Sequence, residues 1–538
     1  MEIGSSLHLW QVVAITLIGG LTGVASVLDE WQWHRPIIAC TLIGLVLHDV
    51  PVGLHVGGVL ELVALGWMNI GASQSPDTAL ASVVATILAI RGGNNASDAI
   101  ALAVPIAVAG NLTTVLVRTL TVYVQHLGDR IALSSSSYYL KFLNYFALSL
   151  QGLRVMIPTF LFVVFVNRQM IVGLFHSLPA VLVGGFTAAS GFIVVVGYAM
   201  VIRLLHANKL MPYFLLGFLA ADFTKITLVG IGLVAISLAL LHVRVWSSNN
   251  LSVETPQSSQ TSNEEGEARS LTIPRRVMWK IFLRSQMLQA SWNYERMQSM
   301  GYVYILEPAL DHLFADSEQR LQRKQRHLEF YNTNPFVSNV VTGINVALEE
   351  RLQATQDDSY DRLVTSIKLG MMGPLAGIGD SIYWGTLRPL LASVSATFAL
   401  RGSLLGPLLF FFSWNTIRLS SLGGLLWYGY WLGTRIVDVI ATGVLRQVTE
   451  IATIVGLVVM GALVANWTHI SFAIHWYTGH GHVTTLNHVV AQILPELPAL
   501  LLVFAVMWLL QRGWGSVRVI LILFLTAIIG VWAHVLSP

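Results

Sequence analysis

Three short segments place ionisable side chains among apolar residues, in a chain of which only 11% is charged. An unpaired charge in hydrocarbon costs at least ~2.5–3.5 kcal/mol, so each segment is a candidate functional site. Carboxylates and amides exchange hydrogen bonds with hydroxyl groups, and an indole face covers the apolar side of a sugar ring. A site built in this way rejects analogues that lack the hydroxyls. The chemistry therefore favours a neutral, polyhydroxylated ligand.

The first segment is "VLDEWQWHRPIIAC", in which polar side chains alternate with tryptophans directly after an apolar run. Its candidate ligand-binding residues are Asp29, Glu30 and Gln32. An interfacial aromatic belt with a helix-end turn before Pro36 would explain the two tryptophans equally well. Two adjacent acids beside an amide and His34 are harder to assign to a turn.

The second segment is "HVGGVLELVALGWMNIGASQSPD", where Glu61 lies in mid-run with no cation within four residues. If this stretch stays helical, Glu61 and Asn69 lie about two turns apart and near one face, with Trp67 between them in sequence. The alternative role for Glu61 is a structural carboxylate that is hydrogen-bonded to a neighbouring helix.

The third segment is "GMMGPLAGIGDSIYWGTLRP", with five glycines and two prolines around Asp380 and Trp384. This composition predicts an interrupted helix, and irregular backbone at membrane depth persists only where protein buries it or where it lines a cavity. Transporters place substrate sites at such interruptions. Alternatively, Asp380 is an N-cap for a helix that begins near Ser381.

The elements that must position these residues are membrane helices. Apolar residues make up 54% of the 538 positions, and apolar runs near the ~20 residues of a spanning helix recur along the chain. The fold class is therefore an all-α polytopic membrane protein with broken or re-entrant helices. A formal charge of +3 is too small to indicate nucleic acid as a partner, and the single Cys40 excludes an intrachain disulfide.

Composition divides the chain into two membrane units. Residues 1–244 form the first unit, the Ser-, Asn- and Glu-rich residues 245–270 form a flexible linker, and residues 271–538 form the second unit. Within the second unit, residues 271–369 are expected to be amphipathic helices against the membrane and residues 370–538 membrane helices. Basic residues next to the linker predict a cytoplasmic location for the amphipathic part: Arg275, Arg276, Lys280 and Arg284.

A polar excursion late in the chain, "HISFAIHWYTGHGHVTTLNHVV", is rich in histidine. Neither a carboxylate nor a cysteine accompanies these histidines, which favours a surface loop over a metal site. We therefore expect no metal site and no cofactor.

Several longer motifs resemble one bacterial transport family. "LDEWQWHRPIIACTLIGLVLHD" and "GGVLELVALGWMNIGA" resemble the IIC subunit of the mannose family (mannose, fructose and sorbose) of the phosphoenolpyruvate-dependent sugar phosphotransferase system. "RSQMLQASWNYERMQSMGYVYILEPAL", "RHLEFYNTNPF" and "LGMMGPLAGIGDSIYWGTLRP" resemble its IID subunit. The similarity covers all but the linker, so the chain resembles a IIC–IID fusion. One departure is Ser381, where the IID pattern has proline.

The resemblance implies a permease of the bacterial inner membrane that carries a hexose of the mannose class. A separate IIB protein, charged by IIA, would phosphorylate the sugar, so no catalytic residue is expected in this chain and its standing as an enzyme is uncertain. The family's trimers of heterodimers imply a homotrimer in membrane lipid. The residues implied to bind the sugar are Asp29, Glu30, Gln32, Glu61, Trp67, Asn69, Asn293, Glu295, Asp380 and Trp384.

Two other functions are open: composition and broken helices allow the first, and the resemblance to permeases that serve as receptors implies the second. A self-sufficient, proton-coupled sugar transporter would use the same carboxylates. A membrane receptor or docking protein for bacteriocins or phage would depend on its extracellular loops, and the intramembrane acids would be dispensable.

Overall fold

A computed structural model of the chain describes residues 7–65, 67, 76–93, 96–132, 137–166, 170, 179–192, 194–204, 208–224, 226, 228–247, 273–355, 358–433, 444–478 and 482–537. The described residues are mostly helical, as predicted. The first unit contains a 3₁₀ turn, Asn208–Leu210, and helices α1 (Leu9–Leu28), α2 (Pro36–Val46), α3 (Val50–Val63), α4 (Thr78–Gly92), α5 (Ala96–Ala132), α6 (Ser137–Phe165), α7 (Ala180–Phe192), α8 (Val194–Leu204), α9 (Met211–Phe223) and α10 (Leu228–Ser247).

The second unit is also helical, apart from one hairpin of strands. It contains α11 (Arg275–Ser285), α12 (Ser299–Leu313), α13 (Ser317–His327), α14 (Ser338–Thr355), α15 (Asp358–Gly379), a π-helix (Asp380–Leu387), α16 (Arg388–Leu400), α17 (Leu405–Leu432), α18 (Val444–Trp467), strands β1 (His475–Thr478) and β2 (His482–Thr485), α19 (Leu486–Ile493), α20 (Leu497–Gln511) and α21 (Ser516–Trp532). The predicted His-rich loop is thus an antiparallel hairpin, with His475 opposite Thr485.

Few of the described helices combine the length and the apolar composition that a membrane span needs. Three are long and apolar enough to cross a membrane, and α19 and α20 together form a fourth candidate that is bent by 81°. Shorter apolar helices include α2, α3 and α4. The structure therefore confirms an all-α membrane protein with broken helices.

Helices α2 and α3 form a hairpin that is too short to cross the membrane. They have 11 and 14 residues, against the ~20 needed for a span. Arg35, directly before α2, is paired with Glu61 near the end of α3, while the turn 47–49 joins their other ends. The two helices are therefore antiparallel, and the first two candidate segments overlap this hairpin at the end opposite its turn.

The third segment is not interrupted, which corrects the prediction of a helix break. α15, the π-helix and α16 form one continuous helical run, and Asp380 lies inside it rather than at an N-cap. The wider turn is held by hydrogen bonds from the Arg388 N–H to the Tyr383 carbonyl and from Thr386 Oγ1 to the Ser381 carbonyl, the latter 2.9 Å long. A Cβ on Gly379 would lie 2.4 Å from Cβ of Asn334, so this glycine permits close packing.

The two units share one apolar core. Its buried residues come from the first unit, such as Ile37 and Phe214, and from the second, such as Trp414 and Val458. Nearly all of the predicted linker lies in residues 248–272, outside the described residues. The unit boundaries at 244 and 271 therefore stay predictions, as does the cytoplasmic location of the amphipathic part. The predicted division between residues 369 and 370 falls inside one helix, α15.

The tightest approach between the units is made by α9 and α18. A Cβ on Gly461 would lie 2.0 Å from the carbonyl oxygen of Phe214, and one on Gly217 would lie 2.0 Å from that of Val458. Small residues allow such backbone approach between membrane helices. The pair of glycines therefore permits the close approach of these two helices.

We expect Gly461→Ala to lower stability, because overpacking typically costs about 1–3 kcal/mol. Thermal unfolding in detergent, followed by size-exclusion chromatography, measures the effect. The matched control is Gly424→Ala on α17, where an added Cβ meets nothing within 4 Å. Equal midpoints for the two variants would contradict the close contact.

Candidate functional site

A polar cavity of about 50 Å³ lies between the two units. We call it the inter-unit cavity. The first unit contributes Ser26, Val27, Asp29 and Arg118, and the second contributes Gln289, Trp292, Gln298, Asn332, Thr333, Asn334, Pro335, Ala376, Asp380 and Trp384. At ~10–15 Å³ per water in this measure, the cavity holds a few waters, so a hexose requires it to widen. Three predicted site residues, Asp29, Asp380 and Trp384, meet here.

Asp380 reaches the cavity from the π-helix. Its Oδ1 accepts a hydrogen bond of 2.9 Å from Nδ2 of Asn334. Within the described residues, Oδ2 accepts none, so this oxygen is available to a ligand hydroxyl. π-Helical turns often occur at functional sites because they redirect side chains.

Trp384 is buried, and other side chains lie against its ring. The guanidinium carbon of Arg388 lies 4.3 Å from the ring centroid, and Trp414 stacks on Trp384 at 5.8 Å. The indole thus borders the cavity while Arg388 and Trp414 pack against it. A sugar-covering role for this ring stays a prediction.

Asp29 joins the two units at the cavity. It ends α1 in the left-handed conformation, with φ of 54°. Nε2 of Gln32 donates to its Oδ1 at 2.8 Å, and Nη1 of Arg388 from the second unit lies 3.4 Å from the same oxygen. Gln32 therefore positions Asp29, and Arg388 balances the charge.

Glu30 forms a second ion pair between the units, away from the cavity lining. Nη1 of Arg418 donates to Glu30 Oε2 at 2.7 Å, and both side chains are 1% exposed. The Trp414 Nε1–H also donates to the Glu30 carbonyl at 3.0 Å. The arrangement holds the turn after α1 against α17.

Glu61 is enclosed by the α2–α3 hairpin and lines neither this cavity nor the smaller one described below. Nε of Arg35 donates to its Oε1 at 2.8 Å, and the Ile37 N–H donates to Oε2 at 3.2 Å. Both charged side chains are fully buried. Trp67 lines a smaller chamber in the first unit, and Asn69 lies outside the described residues.

Asn293 and Glu295 lie in the turn before α12, outside the cavity lining. Oδ1 of Asn293 accepts from the N–H groups of Glu295 and Arg296, at 3.0 and 2.9 Å. The carboxylate of Glu295 is partly exposed and lies 2.9 Å from His126 of α5. These two residues shape the turn and attach it to the first unit.

Sequence reasoning missed several cavity residues. Gln298 and Thr333 form a reciprocal pair, in which Nε2 donates to the Thr333 carbonyl at 2.8 Å and the Thr333 N–H donates to Oε1 at 3.0 Å. Asn334 holds Asp380, and Arg118 lies against Trp292 at 4.4 Å. One available signal was the polar run "YNTNP" in the motif "RHLEFYNTNPF"; another was an arginine directly after the apolar run that ends at Val117.

Comparisons with known proteins match both units. Residues 9–241 match the family described as the sorbose-specific IIC component of phosphotransferase systems, and residues 272–536 match the mannose/fructose/sorbose family IID component. The mannose-specific EIIC component of Escherichia coli K12 is 41% identical over 47% of this chain and 96% of its own length. The mannose-specific EIID component of the same strain is 45% identical over 46% of this chain and 90% of its own length.

A solved structure is similar in sequence to half of the chain. It is a cryo-EM structure titled as the mannose transporter ManYZ in complex with microcin E492. The identity is 41%, over 50% of this chain and 100% of that chain, with a TM-score of 0.30.

The matches to both components decide among the functions considered from sequence. They identify a sugar-specific phosphotransferase permease of the inner membrane that works with cytoplasmic IIA and IIB proteins. They do not favour a self-sufficient proton-coupled transporter or a receptor. The chain belongs to the mannose/fructose/sorbose family of phosphotransferase systems, with its IIC and IID components in one polypeptide.

Proposed function

We propose that a hexose of the mannose class crosses the membrane through the inter-unit cavity. The observation that carries this proposal is the meeting of Asp29 and Asp380, from different units, at one polar cavity. A cavity with walls from two units widens and closes when the units shift relative to each other. This supplies the conformational change that alternating access requires.

Asp380 Oδ2 and the polar wall of the second unit are the proposed ligand-binding groups. A carboxylate oxygen accepts a hydrogen bond from a sugar hydroxyl, and Gln298 and Asn334 line the same cavity. Asp29 borders the opposite side, held by Gln32 and Arg388. Glu30, Glu61, Asn293 and Glu295 are proposed to position these walls.

The sugar is proposed to leave as its phosphate. The IIB protein would transfer a phosphoryl group from its histidine to a sugar hydroxyl, so that a P–N bond breaks, a P–O bond forms and the released histidine nitrogen takes up the hydroxyl proton. The added charge keeps the product from returning through the membrane. A homotrimer of the fused chain is the proposed assembly, which the family resemblance supports.

Radiolabelled mannose uptake into vesicles of known orientation tests this function. We expect sugar phosphate to accumulate with purified, phosphorylated IIA and IIB proteins, and at least about tenfold less uptake without them, because phosphorylation traps the product. Vesicles that lack the chain provide the control. Accumulation of free sugar without the partners would contradict the proposal.

A further inference from the structure

A second polar chamber, of about 30 Å³, lies inside the first unit. We call it the first-unit chamber. It shares Ser26, Val27, Asp29 and Arg118 with the inter-unit cavity, so the two spaces adjoin at these side chains. Its far wall includes His34 and Gln151.

Four side chains that line the first-unit chamber are more than nine-tenths buried and have polar atoms without a partner among the described residues. Gln151 is 1% exposed, and neither its Nε2 nor its Oε1 forms a hydrogen bond with a described residue. Arg118 is 4% exposed, His34 5% and Arg154 7%, and the unpartnered atoms are Nε and Nη1 of Arg118, Nδ1 of His34 and Nε of Arg154. Native proteins pair most buried polar groups, so four such groups around one chamber indicate an occupant.

Two charged side chains in the chamber wall have charge partners within the protein. Arg154 is paired with Asp77, and its Nη1 also donates to Oγ1 of Thr114 at 2.6 Å. Asp29 is paired with Arg388. The groups left for an occupant are therefore those of Gln151, Arg118 and His34, together with Nε of Arg154.

The donor and acceptor types favour hydroxyl groups over an anion. Gln151 offers one donor nitrogen and one acceptor oxygen, Arg118 offers two donor nitrogens, and Arg154 offers one. With Nε2 of His34 directed at Asp29, 3.5 Å away, Nδ1 of His34 is an acceptor. A phosphate or carboxylate would satisfy the donors but set its oxygens against the two acceptors. A hydroxyl donates and accepts at once, so a neutral polyol satisfies the whole set.

We propose that the first-unit chamber is a second hydroxyl-binding subsite, continuous with the inter-unit cavity, in which Gln151 determines sugar specificity. This inference rests on the proposed function, because it assumes that a hexose enters the inter-unit cavity. Gln151 hydrogen-bonds one hydroxyl of that hexose, and Arg118, at the shared wall, contacts the sugar from both spaces.

Competition by monodeoxy analogues of mannose tests the subsite. The readout is the inhibition constant of each analogue against labelled-mannose uptake, with phosphorylated IIA and IIB present. For the unsubstituted protein, we expect at least one analogue to bind at least about tenfold more weakly than mannose, since a buried polar group loses its partner. In Gln151→Leu, the loss of affinity for that analogue relative to mannose is expected to fall below about threefold. The relative affinities of the other analogues should not change.

The matched control is Gln11→Leu, because Gln11 is also buried but is already bonded to the Val46 carbonyl at 3.0 Å and lines neither space. Gln11→Leu should show the same inhibition constants for all analogues as the unsubstituted protein. If Gln151→Leu fails to fold, Gln151→Asn retains the amide on a shorter side chain and should reduce the penalty at the same hydroxyl.

The outcomes separate the two proposals. The subsite proposal is wrong if a folded Gln151 variant leaves every analogue's inhibition constant unchanged, or if no analogue binds the unsubstituted protein tenfold more weakly. In either case, uptake of mannose would still support the permease. Absence of any hexose-dependent uptake overturns the proposed function, and the subsite with it.

Discussion

Asp380→Asn is expected to reduce hexose uptake by about 100-fold, because a hydrogen bond to a charged group contributes about 1.5–3 kcal/mol. Oδ1 of Asp380 already accepts from Asn334, so an asparagine at 380 would keep its oxygen there and turn its amino group to the cavity. The substitution thus replaces an acceptor with a donor where the sugar hydroxyl must donate. Initial rates of mannose uptake, with phosphorylated IIA and IIB proteins present, measure the effect.

A control for Asp380→Asn is Asp316→Asn, at the exposed N-cap of α13. Asparagine caps a helix about as well as aspartate, so this variant should keep normal uptake. A folded Asp380→Asn protein with unchanged uptake would remove Asp380 from the sugar path.

Glu61→Gln is expected to lower the free energy of unfolding by about 3–5 kcal/mol, since it leaves a buried charge without its partner. Arg35 and Glu61 are both fully buried, and the pair joins the ends of the α2–α3 hairpin. Thermal unfolding in detergent measures the loss. Replacing both residues, as Arg35→Met with Glu61→Leu, should recover most of the stability because no uncompensated charge remains.

This prediction separates a structural carboxylate from a ligand-binding one. If Glu61→Gln has the same unfolding temperature as the unsubstituted protein but fails to transport sugar, Glu61 contacts the substrate and not only the hairpin. Asp380→Asn should give the reverse pattern, with a normal unfolding temperature and lost uptake.

The sequence identified the important segments better than it identified their contacts. The rarity of charge in an apolar chain was enough to select Asp29 and Asp380, which do line the cavity. Glu61 was selected for the same reason, but its cation is Arg35, 26 residues away and on the other arm of the hairpin. A search along one helix does not find such a partner. The links from Asp29 to Arg388 and from Glu30 to Arg418 likewise exist only in the folded chain.

The continuous helix through Asp380 shows a different limit. Glycine and proline lower helix propensity locally, and the segment has seven of them in 20 residues. In the fold, Gly379 instead accommodates Asn334, and Pro389 directly follows the π-helix as the second residue of α16. Tertiary packing therefore overrode propensity, and a π-helix replaced the expected break.

The ion pair between Glu30 and Arg418 also has a consequence for biosynthesis. The two residues are 388 positions apart in the chain. At about 5–20 residues per second, the ribosome needs roughly 20–80 s after Glu30 to add Arg418. During that interval the nascent first unit holds an acid whose counter-ion does not yet exist. Joining both components in one polypeptide makes this delay fixed and short, whereas separate chains would depend on a chance encounter in the bilayer.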